Sequence, residues 1–454
     1  MLQPISYHDR DGFVVERNNE LYRYVQFSYA DTYNHFINSG LYQRLTEDGL
    51  LIFHREETMS YEEQQMYFKI LVPERIATLT LPAEWTPTQW KEAVVCFLKI
   101  SMIAIEYNMI LKDATPYNFS FYKGYCILFD TLSFEKYIAG HPWIAYRQFC
   151  ETMLGPLTLI CYNSPMWGKL FTSSAPGWNL SFISKLLPVR SYLSLSILLH
   201  IHWHSHFSNK DFHKSSTKKN TLDRQKLKIM WNLIQRSVLR WRTPFVSANW
   251  IGYYENDIED MGYLQQKKET IKTWLTNFHA RTVIDVGANK GLFSILAASV
   301  VKEVIAIESD IDCMEELYRV IRDEHISNIQ IIVADLADPT PGTGWMNKEH
   351  PSLLQRISCD TLMSLALIHH LCITRNLPLS FIAEQFSILA THRAIVEFVP
   401  KTDSKVQSML ENRKDIFDDY SESHFITAFS RYFTLEESYC FSNSSRKLFL
   451  WIKK

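Results

Sequence analysis

A glycine-bearing turn follows an apolar run in the second half of the chain. The segment TVIDVGANKGLFSILAA, Thr282–Ala298, has the composition of a buried strand, a turn and the start of a helix. Asp285 ends the strand, and Gly287, Asn289 and Gly291 alternate through the turn. Glycine lets a ligand approach the main chain closely, and asparagine is the next best residue in a left-handed conformation. The turn therefore predicts a ligand site, although its spacing differs from the G-x-G-x-x-G of dinucleotide binding.

Acidic residues end the next two predicted strands. Glu308 closes EVIAIE and follows Gly287 by about 20 positions, where a carboxylate accepts hydrogen bonds from ribose hydroxyls. Asp335 closes IQIIVAD. The turn, D-x-G-x-N-x-G, is similar to the D/E-x-G-x-G-x-G of class I S-adenosylmethionine (SAM) methyltransferases, in which the residue at the place of Asp335 often contacts adenine. This resemblance implies SAM as cofactor, bound by Asp285, Gly287, Asn289, Gly291, Glu308 and Asp335. The alternative is a helix-capping turn in another α/β domain.

Methyl transfer also needs a group that orients the acceptor and removes its proton. The run SLALIHHL places His369 and His370 after the fourth predicted strand, and histidine titrates near neutrality. The run VEFVPKTD adds Glu397 and Lys401 after the fifth strand. These four residues are the predicted catalytic candidates. The alternatives are a structural histidine pair and an ion pair of Glu397 with Lys401 or with Arg413.

A second group of polar residues lies in the first half of the chain. In LKDATPYN, Asp113 and Asn118 have the D-x-x-x-x-N spacing of a kinase catalytic loop. Asp130 follows the predicted hairpin FSFYKGYCILF, as a metal-binding aspartate does in kinases. No glycine-rich phosphate loop precedes these residues, which favours a kinase-like accessory domain over an active kinase. The alternative is a turn that caps local backbone groups.

Metal binding is not predicted from the histidines. The run LLHIHWHSHF has alternating histidines, which would share one face of a strand but not of a helix. They are His200, His202, His204 and His206. Their apolar neighbours favour a structural role. Asp360, His369 and Glu397 show no recognised ligand spacing either.

The elements that must position these residues differ between the two halves. From Thr282 onward, strand-like and helix-like runs alternate, which predicts a Rossmann-like, mostly parallel sheet with helices on both faces. The earlier part mixes short strands with helices, which predicts an α+β domain. The polar segment Ser208–Asn220 is typical of a linker. The predicted domains are residues 1–222, and residues 223–454 with a helical lead-in, LDRQKLKIMWNLIQRSVLRW.

Composition limits the classes of partner. The 454 residues are 46% hydrophobic and 21% charged, with a formal net charge of −2, so no dedicated nucleic-acid surface is expected. The first residues lack the pattern of a signal peptide. The apolar run SYLSLSILLHIHWH is too short to span a bilayer. The eight cysteines show no CxxC spacing. These features predict a two-domain cytoplasmic protein without a membrane partner, and leave its oligomeric state open.

Longer motifs extend the resemblance. LADPTPGTGWMNKEHPSLLQRISCDTLMSLALIHHLCITRNLPL, IVEFVPKTDSKVQSMLENRKDIFDDY and SSRKLFLW resemble a bacterial family of SAM-dependent methyltransferases described as nodulation-protein-like. The likeness reaches into the first half through LPAEWTPTQWKEA and LKDATPYNFSFYKGYCILFDTLSFE, and covers most of the chain from Arg75 onward. The resemblance implies methyl transfer to a small molecule or glycan-related metabolite. The alternatives are a phosphotransferase using Asp113, Asn118 and Asp130, and a non-catalytic SAM sensor.

Overall fold

The chain divides into two compact units. Unit 1 comprises Met1–Val246 and Pro341–Pro351, and unit 2 comprises Ser247–Thr340 and Ser352–Lys454. The computed structural model describes residues 9–18, 20–171, 176–208, 223–243, 261–411 and 414–454. Apart from Ser208, the predicted linker lies outside the described residues.

Unit 1 contains an antiparallel sheet and two smaller strand pairs. Its strands are β1 (Gly12–Arg17), β2 (Glu20–Val25), β3 (His54–Glu56), β4 (Lys69–Pro73), β5 (Met109–Leu111), β6 (Phe119–Tyr122), β7 (Tyr125–Leu128) and β8 (Phe134–Lys136). The four-stranded sheet has the order β1-β2-β4-β3, and β5 pairs with β8. Strands β6 and β7 form the predicted hairpin. Lys123 and Gly124 both have positive φ at its turn, as a two-residue hairpin of this type requires.

Helices surround these strands. They are α1 (Ala30–Asn38), α2 (Leu41–Glu47), α3 (Tyr61–Met66), α4 (Pro87–Ala104), α5 (Tyr146–Phe149), α6 (Gly155–Tyr162), α7 (Met166–Leu170), α8 (Leu180–Leu186), α9 (Leu195–Ile197), α10 (His204–Ser208) and α11 (Arg224–Arg240). Single π-helical segments connect α5 to α6, at Cys150–Leu154, and α9 to α10, at Leu198–Trp203. Helix α4 starts at the Thr86 capping box, and its Trp90 and Phe97 are fully buried.

Helix α11 belongs to unit 1, although the predicted domain boundary at 222/223 assigned it to the second half. Its buried stripe includes Leu227, Trp231 and Val238. The Trp231 ring packs edge-on against Trp143, with 5.4 Å between the ring centroids. The hydropathy pattern of an amphipathic helix predicts which face is buried, but it does not predict the domain against which that face packs.

A second correction concerns Pro341–Pro351, which the predicted boundary also placed in the second half. This short segment belongs to unit 1. The imidazole of His350 stacks on the ring of Tyr117, with 4.0 Å between the centroids. Backbone hydrogen bonds in both directions between Thr343 and His350 close the segment into a loop.

Unit 2 is built on a seven-stranded sheet. Its strands are β9 (Thr282–Val286), β10 (Glu303–Glu308), β11 (Ile329–Val333), β12 (Cys359–Ser364), β13 (Ala390–Phe398), β14 (Phe433–Cys440) and β15 (Lys447–Lys453). The order is β11-β10-β9-β12-β13-β15-β14. Strands β9 to β13 pair in parallel, and β15 is antiparallel to both of its neighbours. The predicted mostly parallel sheet is confirmed.

Helices cover both faces of this sheet. They are α12 (Met261–Asn277), α13 (Leu292–Ala298), α14 (Ile311–Asp323), α15 (Leu353–Arg356), α16 (Leu379–Leu389), α17 (Ser404–Leu410) and α18 (Glu422–Phe429). Side chains alternate between faces along a strand. Ile284 and Val286 join a core with residues of α16 and α18, whereas Asp285 between them contacts α13 through Ser294. The alternation therefore predicts a two-sided sheet correctly.

Candidate functional site

The turn after β9 has the backbone conformation that its sequence predicts. Gly287, Asn289 and Gly291 have φ angles of 75°, 51° and 78°. Gly291 is the N-cap of α13, and a Cβ there would lie 2.3 Å from Cδ1 of Leu317. Gly291 is thus required by backbone conformation and helix packing. Lys290, which precedes Gly291 in the turn, forms an ion pair with Glu316 at 3.2 Å.

This turn borders a cavity of about 230 Å³ beyond the carboxyl ends of the parallel strands. Four of the six predicted cofactor-binding residues line it: Gly287, Asn289, Glu308 and Asp335. Asp285 and Gly291 support the turn without lining the cavity. The structure thus brings residues from three strand ends to one place.

Glu308 is held in position by backbone amides. The amides of Ser309 and Asp310 donate to Oε1 at 2.6 and 3.0 Å, and the amide of Asn289 donates to Oε2 at 3.1 Å. An ionised carboxylate has about four acceptor sites. Oε1 also accepts from the Ser309 hydroxyl at 3.0 Å, whereas Oε2 accepts from the Asn289 amide and keeps a lone pair for a hydroxyl of a ligand that enters the cavity.

Asp335 faces the same cavity and forms an ion pair with an arginine side chain. Its Oδ1 accepts from the amide of Ala337 at 2.9 Å, and its Oδ2 accepts from the guanidinium of Arg375. The Arg375 side chain is 53% exposed. Ion pairs with this exposure contribute about 0–1 kcal/mol. A ligand that contacts Asp335 can thus displace Arg375 at small cost.

Asp285 lies beneath the turn and is 2% exposed. Its Oδ2 accepts a hydrogen bond from Ser294 Oγ at 2.6 Å, which ties β9 to α13. Burial raises the pKa of Asp285 to about 6, against the opposing effect of the Ser294 hydrogen bond. Asp285, predicted as a cofactor-binding residue, therefore helps to position the turn and does not line the cavity.

Of the two predicted histidines, only His370 lines the cavity. Burial, followed by the charges of Arg446 and Lys405, lowers its pKa to about 4, so its imidazole is neutral at neutral pH. His369 is fully buried, and neither of its ring nitrogens has a hydrogen-bond partner in the described part of the chain. Its ring lies against that of His370, with 4.1 Å between the centroids.

Glu397 lies at the centre of a buried polar network. Its side chain is fully buried, and Lys267 Nζ donates to its Oε2 at 2.6 Å. The hydroxyl of Tyr263 donates to its Oε1. Burial acts to raise the pKa of Glu397, but the charges of Lys267 and Arg446 outweigh it and hold the pKa below its ordinary value. The partner of Glu397 is thus Lys267, and not Lys401 as one predicted alternative had it.

Lys401 lies outside the cavity. Its Nζ pairs with the Asp415 carboxylate at 3.0 and 2.8 Å. Arg413, the other suggested partner of Glu397, lies outside the described residues. Among the four catalytic candidates, His370 alone has a side chain in the cavity wall.

Several cavity residues escaped the sequence-based prediction, among them Tyr263, Lys267 and Arg446. Tyr263 and Lys267 are four residues apart on α12, so both face the same side of the helix. The only signal in the sequence is a tyrosine and a lysine at this spacing ahead of β9. Arg446, from SSRKLFLW, pairs with Asp403 at 2.7 Å.

In unit 1, Asp113, Asn118 and Asp130 line one cavity of about 900 Å³. Asn118 Nδ2 donates to Ser133 Oγ at 3.0 Å, and Ser133 Oγ donates in turn to Asp130. Asp130 also forms an ion pair with Arg23 of β2. The three residues of the kinase-like spacing therefore share one cavity, but a guanidinium occupies the aspartate that would hold a metal.

The four alternating histidines lie in the π-helical segment Leu198–Trp203 and in α10. His202 is bonded at both ring nitrogens, to Ser184 Oγ at 2.7 Å and to Ser191 Oγ at 2.8 Å. His200 Nδ1 lies 2.7 Å from the hydroxyl of Tyr146. Among the described residues, no three His, Cys, Asp or Glu side chains form a group that could hold a metal ion.

In the described part of the chain, no helix is both long and apolar enough to cross a membrane.

Comparison with known proteins gives one relative over most of the chain. The chain is 26% identical over 420 residues to nodulation protein NoeA of Rhizobium meliloti (strain 1021), which covers 90% of this chain and 87% of the relative. No family model matches the chain.

Solved structures align with a smaller part. Magnesium protoporphyrin IX methyltransferase (ChlM) from Synechocystis PCC 6803 with bound SAM has a TM-score of 0.31 at 16% identity, over 42% of this chain and 80% of that one. The N-methyltransferase NodS from Bradyrhizobium japonicum WM9 has a TM-score of 0.32 at 12% identity, over 43% of this chain and 98% of that one.

Proposed function

We propose that the protein is a class I SAM-dependent methyltransferase whose cofactor binds in the unit 2 cavity. The observation that carries the proposal is the position of Glu308, at the end of β10, facing the same cavity as the Gly287 turn. A carboxylate there can accept hydrogen bonds from both ribose hydroxyls, while the turn admits the remainder of the cofactor close to the main chain.

In this proposal, the residues of the cavity have separate roles. Gly287 and Asn289 shape the floor, Glu308 binds ribose, and Asp335 takes the adenine side. SAM, when bound, supplies the electrophilic methyl group. On the acceptor side we assign His370, because its neutral imidazole faces the cavity and can accept a proton from the acceptor. Tyr263, Lys267 and Glu397 form a buried network that fixes the wall beside Gly287.

The acceptor we propose is a small molecule or a glycan-related metabolite. This rests on the resemblance of the long C-terminal motifs to nodulation-protein-like methyltransferases, and on the 26% identity to a relative named as a nodulation protein. Against the phosphotransferase alternative stands the ion pair of Arg23 with Asp130, which occupies the predicted metal-binding carboxylate.

Calorimetric titration of the full chain with SAM tests the cofactor assignment. Glu308→Ala should weaken SAM binding by about 1–3 kcal/mol, the cost of losing hydrogen bonds to a charged group. The matched control is Glu324→Ala, since Glu324 is an exposed carboxylate beyond the end of α14. Wild-type protein that binds no SAM, or equal affinities of a folded Glu308→Ala and the wild type, would contradict the proposal.

Turnover separates an enzyme from a sensor. Incubation with SAM and candidate acceptors, followed by detection of S-adenosylhomocysteine, should reveal transfer that His370→Gln reduces. Tight SAM binding without product on any acceptor would instead favour the sensor.

A further inference from the structure

None of the residues assigned above to SAM or to the acceptor lines the unit 1 cavity that contains Asp113. It measures about 900 Å³, which lies within the range of small-molecule sites. Its wall combines carboxylates, amides and aromatic rings from β1, the β5–β8 region, α5 and the 341–351 loop. Carboxylates exceed basic side chains in this wall by six to three. The acidic residues are Asp9, Asp11, Asp113, Asp130, Glu135 and Glu349, and the basic ones are Arg10, Arg23 and Lys112.

Two of the basic side chains are already engaged within the wall. Arg23 pairs with Asp130, and their side chains are only 14% and 15% exposed. Lys112 pairs with Asp11. These pairs are partly buried and thus cost more to open than pairs in water. An incoming anion would have to break them, which argues against an anionic ligand.

Two further carboxylates of the wall, those of Asp113 and Glu135, feel the charge of Lys112 but are not paired with it. Asp113 and Glu135 form no ion pair within the described ranges. Burial raises the pKa of Asp113, and the charge of Asp130 raises it further. Burial also raises the pKa of Glu135, against the opposing charge of Lys112 and with a smaller contribution from the charge of Asp113. Burial and mutual repulsion thus disfavour the ionised forms of these carboxylates, and a positively charged ligand would offset this effect.

Asp113 is nonetheless held in place. The side chain of Gln148 hydrogen-bonds to it, and Gln148 Oε1 accepts from the amide of Ala114 at 2.9 Å. The carboxylate is thus oriented by a neutral amide, and the charge of Lys112 offsets only part of the effect that burial and Asp130 have on its pKa. A group oriented without being neutralised is what a binding site for a cation requires.

Aromatic rings supply the remaining wall. Tyr117 stacks on His350, and Phe13 stacks on Tyr24 at 5.0 Å between centroids. Trp345 lines the cavity yet is 62% exposed. It belongs to the 341–351 loop, in which the following residue, Met346, has a φ of 55°. Exposed aromatic faces attract cations and cover the alkyl parts of amines.

From this combination we propose that the unit 1 cavity binds a protonated aliphatic amine, whose charge Asp113 and Glu135 hold and whose carbon chain lies against the aromatic wall. All residues that line this cavity belong to unit 1, and the proposal stands or falls independently of methyl transfer. A nucleotide with magnesium fits less well, because Asp130 is occupied by Arg23 and the phosphates would meet an acidic wall.

Calorimetric titration of the full chain with 1,8-diaminooctane tests the proposal, with 1,8-octanediol as a neutral probe of the same length. The diamine should bind and the diol should not. Asp113→Asn removes a charge at constant volume and should weaken diamine binding about 10- to 100-fold. Glu62→Gln, at an exposed carboxylate of α3, is the matched control and should have no effect.

The pH dependence gives a second readout. The diamine stays protonated below about pH 10, whereas Asp113 and Glu135 have raised pKa values. Affinity should therefore fall as the pH is lowered through those pKa values. If Asp113→Asn fails to fold, as judged by circular dichroism, Glu135→Gln takes its place.

Three results would overturn the proposal. The first is no diamine binding at about 1 mM. The second is failure of either comparison. The diol and the diamine would then bind equally well, or both carboxylate variants would bind the diamine as the wild type does. The third is binding of Mg-ATP that competes with the diamine and disappears in Asp130→Asn, which would make the cavity a nucleotide site.

Discussion

The cavity beside Gly287 in unit 2 and the cavity beside Asp113 in unit 1 both present carboxylates at or just after the ends of β-strands, but they hold those carboxylates differently. In unit 2, Glu308 is oriented by backbone amides, which leave part of it free to accept hydrogen bonds. In unit 1, Asp130 is oriented by the guanidinium of Arg23, which neutralises it. The comparison shows that the group holding a carboxylate decides whether a ligand can use it. An aspartate or glutamate at the end of a strand can thus remain available to a ligand in one domain and be paired with a neighbouring cation in another.

The largest effect on stability should come from breaking the Arg23–Asp130 pair. Arg23→Met leaves a largely buried carboxylate without its cation and should destabilise unit 1 by about 3 kcal/mol. Burial acts to raise the pKa of Asp130, but Arg23 and Ser133 outweigh it, so the pKa lies below its ordinary value. The wild-type advantage should therefore be complete above about pH 4 and be lost as pH falls through the lowered pKa.

Urea denaturation at several pH values measures this difference. Arg55→Met is the control, because Arg55 pairs with Glu57 while 50% exposed and should cost less than about 1 kcal/mol. Equal destabilisation by the two variants would show that burial does not distinguish the pairs.

The next effect concerns turnover in unit 2. His370→Gln should lower kcat about 10²-fold, the low end for a general base, because an imidazole with a pKa of about 4 is a weak base. The wild-type rate should show no histidine step near pH 6.5 and should fall only as pH drops through about 4. A pH-rate profile with a step near neutrality, or unchanged kcat in His370→Gln, would remove His370 from this role.

A smaller effect on stability is expected from Asp285, which lies beneath the turn after β9. The folded-state pKa of Asp285 is raised to about 6, so its ionisation costs stability as pH rises from about 4 to 6. Asp285→Asn should thus stabilise the protein by about 2 kcal/mol at pH 7 and have little effect below pH 4. Thermal unfolding of both proteins across this range measures the difference. A destabilised Asn variant at pH 7 would mean that the charge on Asp285 is needed to hold Ser294.

The smallest effect is expected at Lys401. Its pair with Asp415 is partly exposed and lies outside the cavity, so Lys401→Ala should change kcat and SAM affinity less than about twofold. A loss of activity comparable with that of His370→Gln would restore Lys401 as a catalytic candidate and indicate that the loop after β13 moves toward the cavity.

The local features of unit 2 could be predicted from the amino-acid sequence. Alternating apolar runs predicted β9 to β13 and their parallel pairing, because burial on both faces requires continuous apolar strands. The glycine and asparagine positions predicted the left-handed turn after β9, since few other residues adopt it. Spacing from that turn singled out Glu308, which lines the same cavity. Each of these inferences needed only neighbours in the chain.

Contacts between residues far apart in the chain could not be predicted from the sequence. Lys267 reaches Glu397 across 130 positions, and Arg23 reaches Asp130 across 107. The tertiary structure also placed α11 and the 341–351 loop in unit 1. Hydropathy records that a side chain will be buried, but burial energy is non-directional and does not name a partner. The partner of a buried charge depends on how strands and helices stack, which here decided that Glu397 pairs with Lys267 and that His370 alone of its pair faces the cavity.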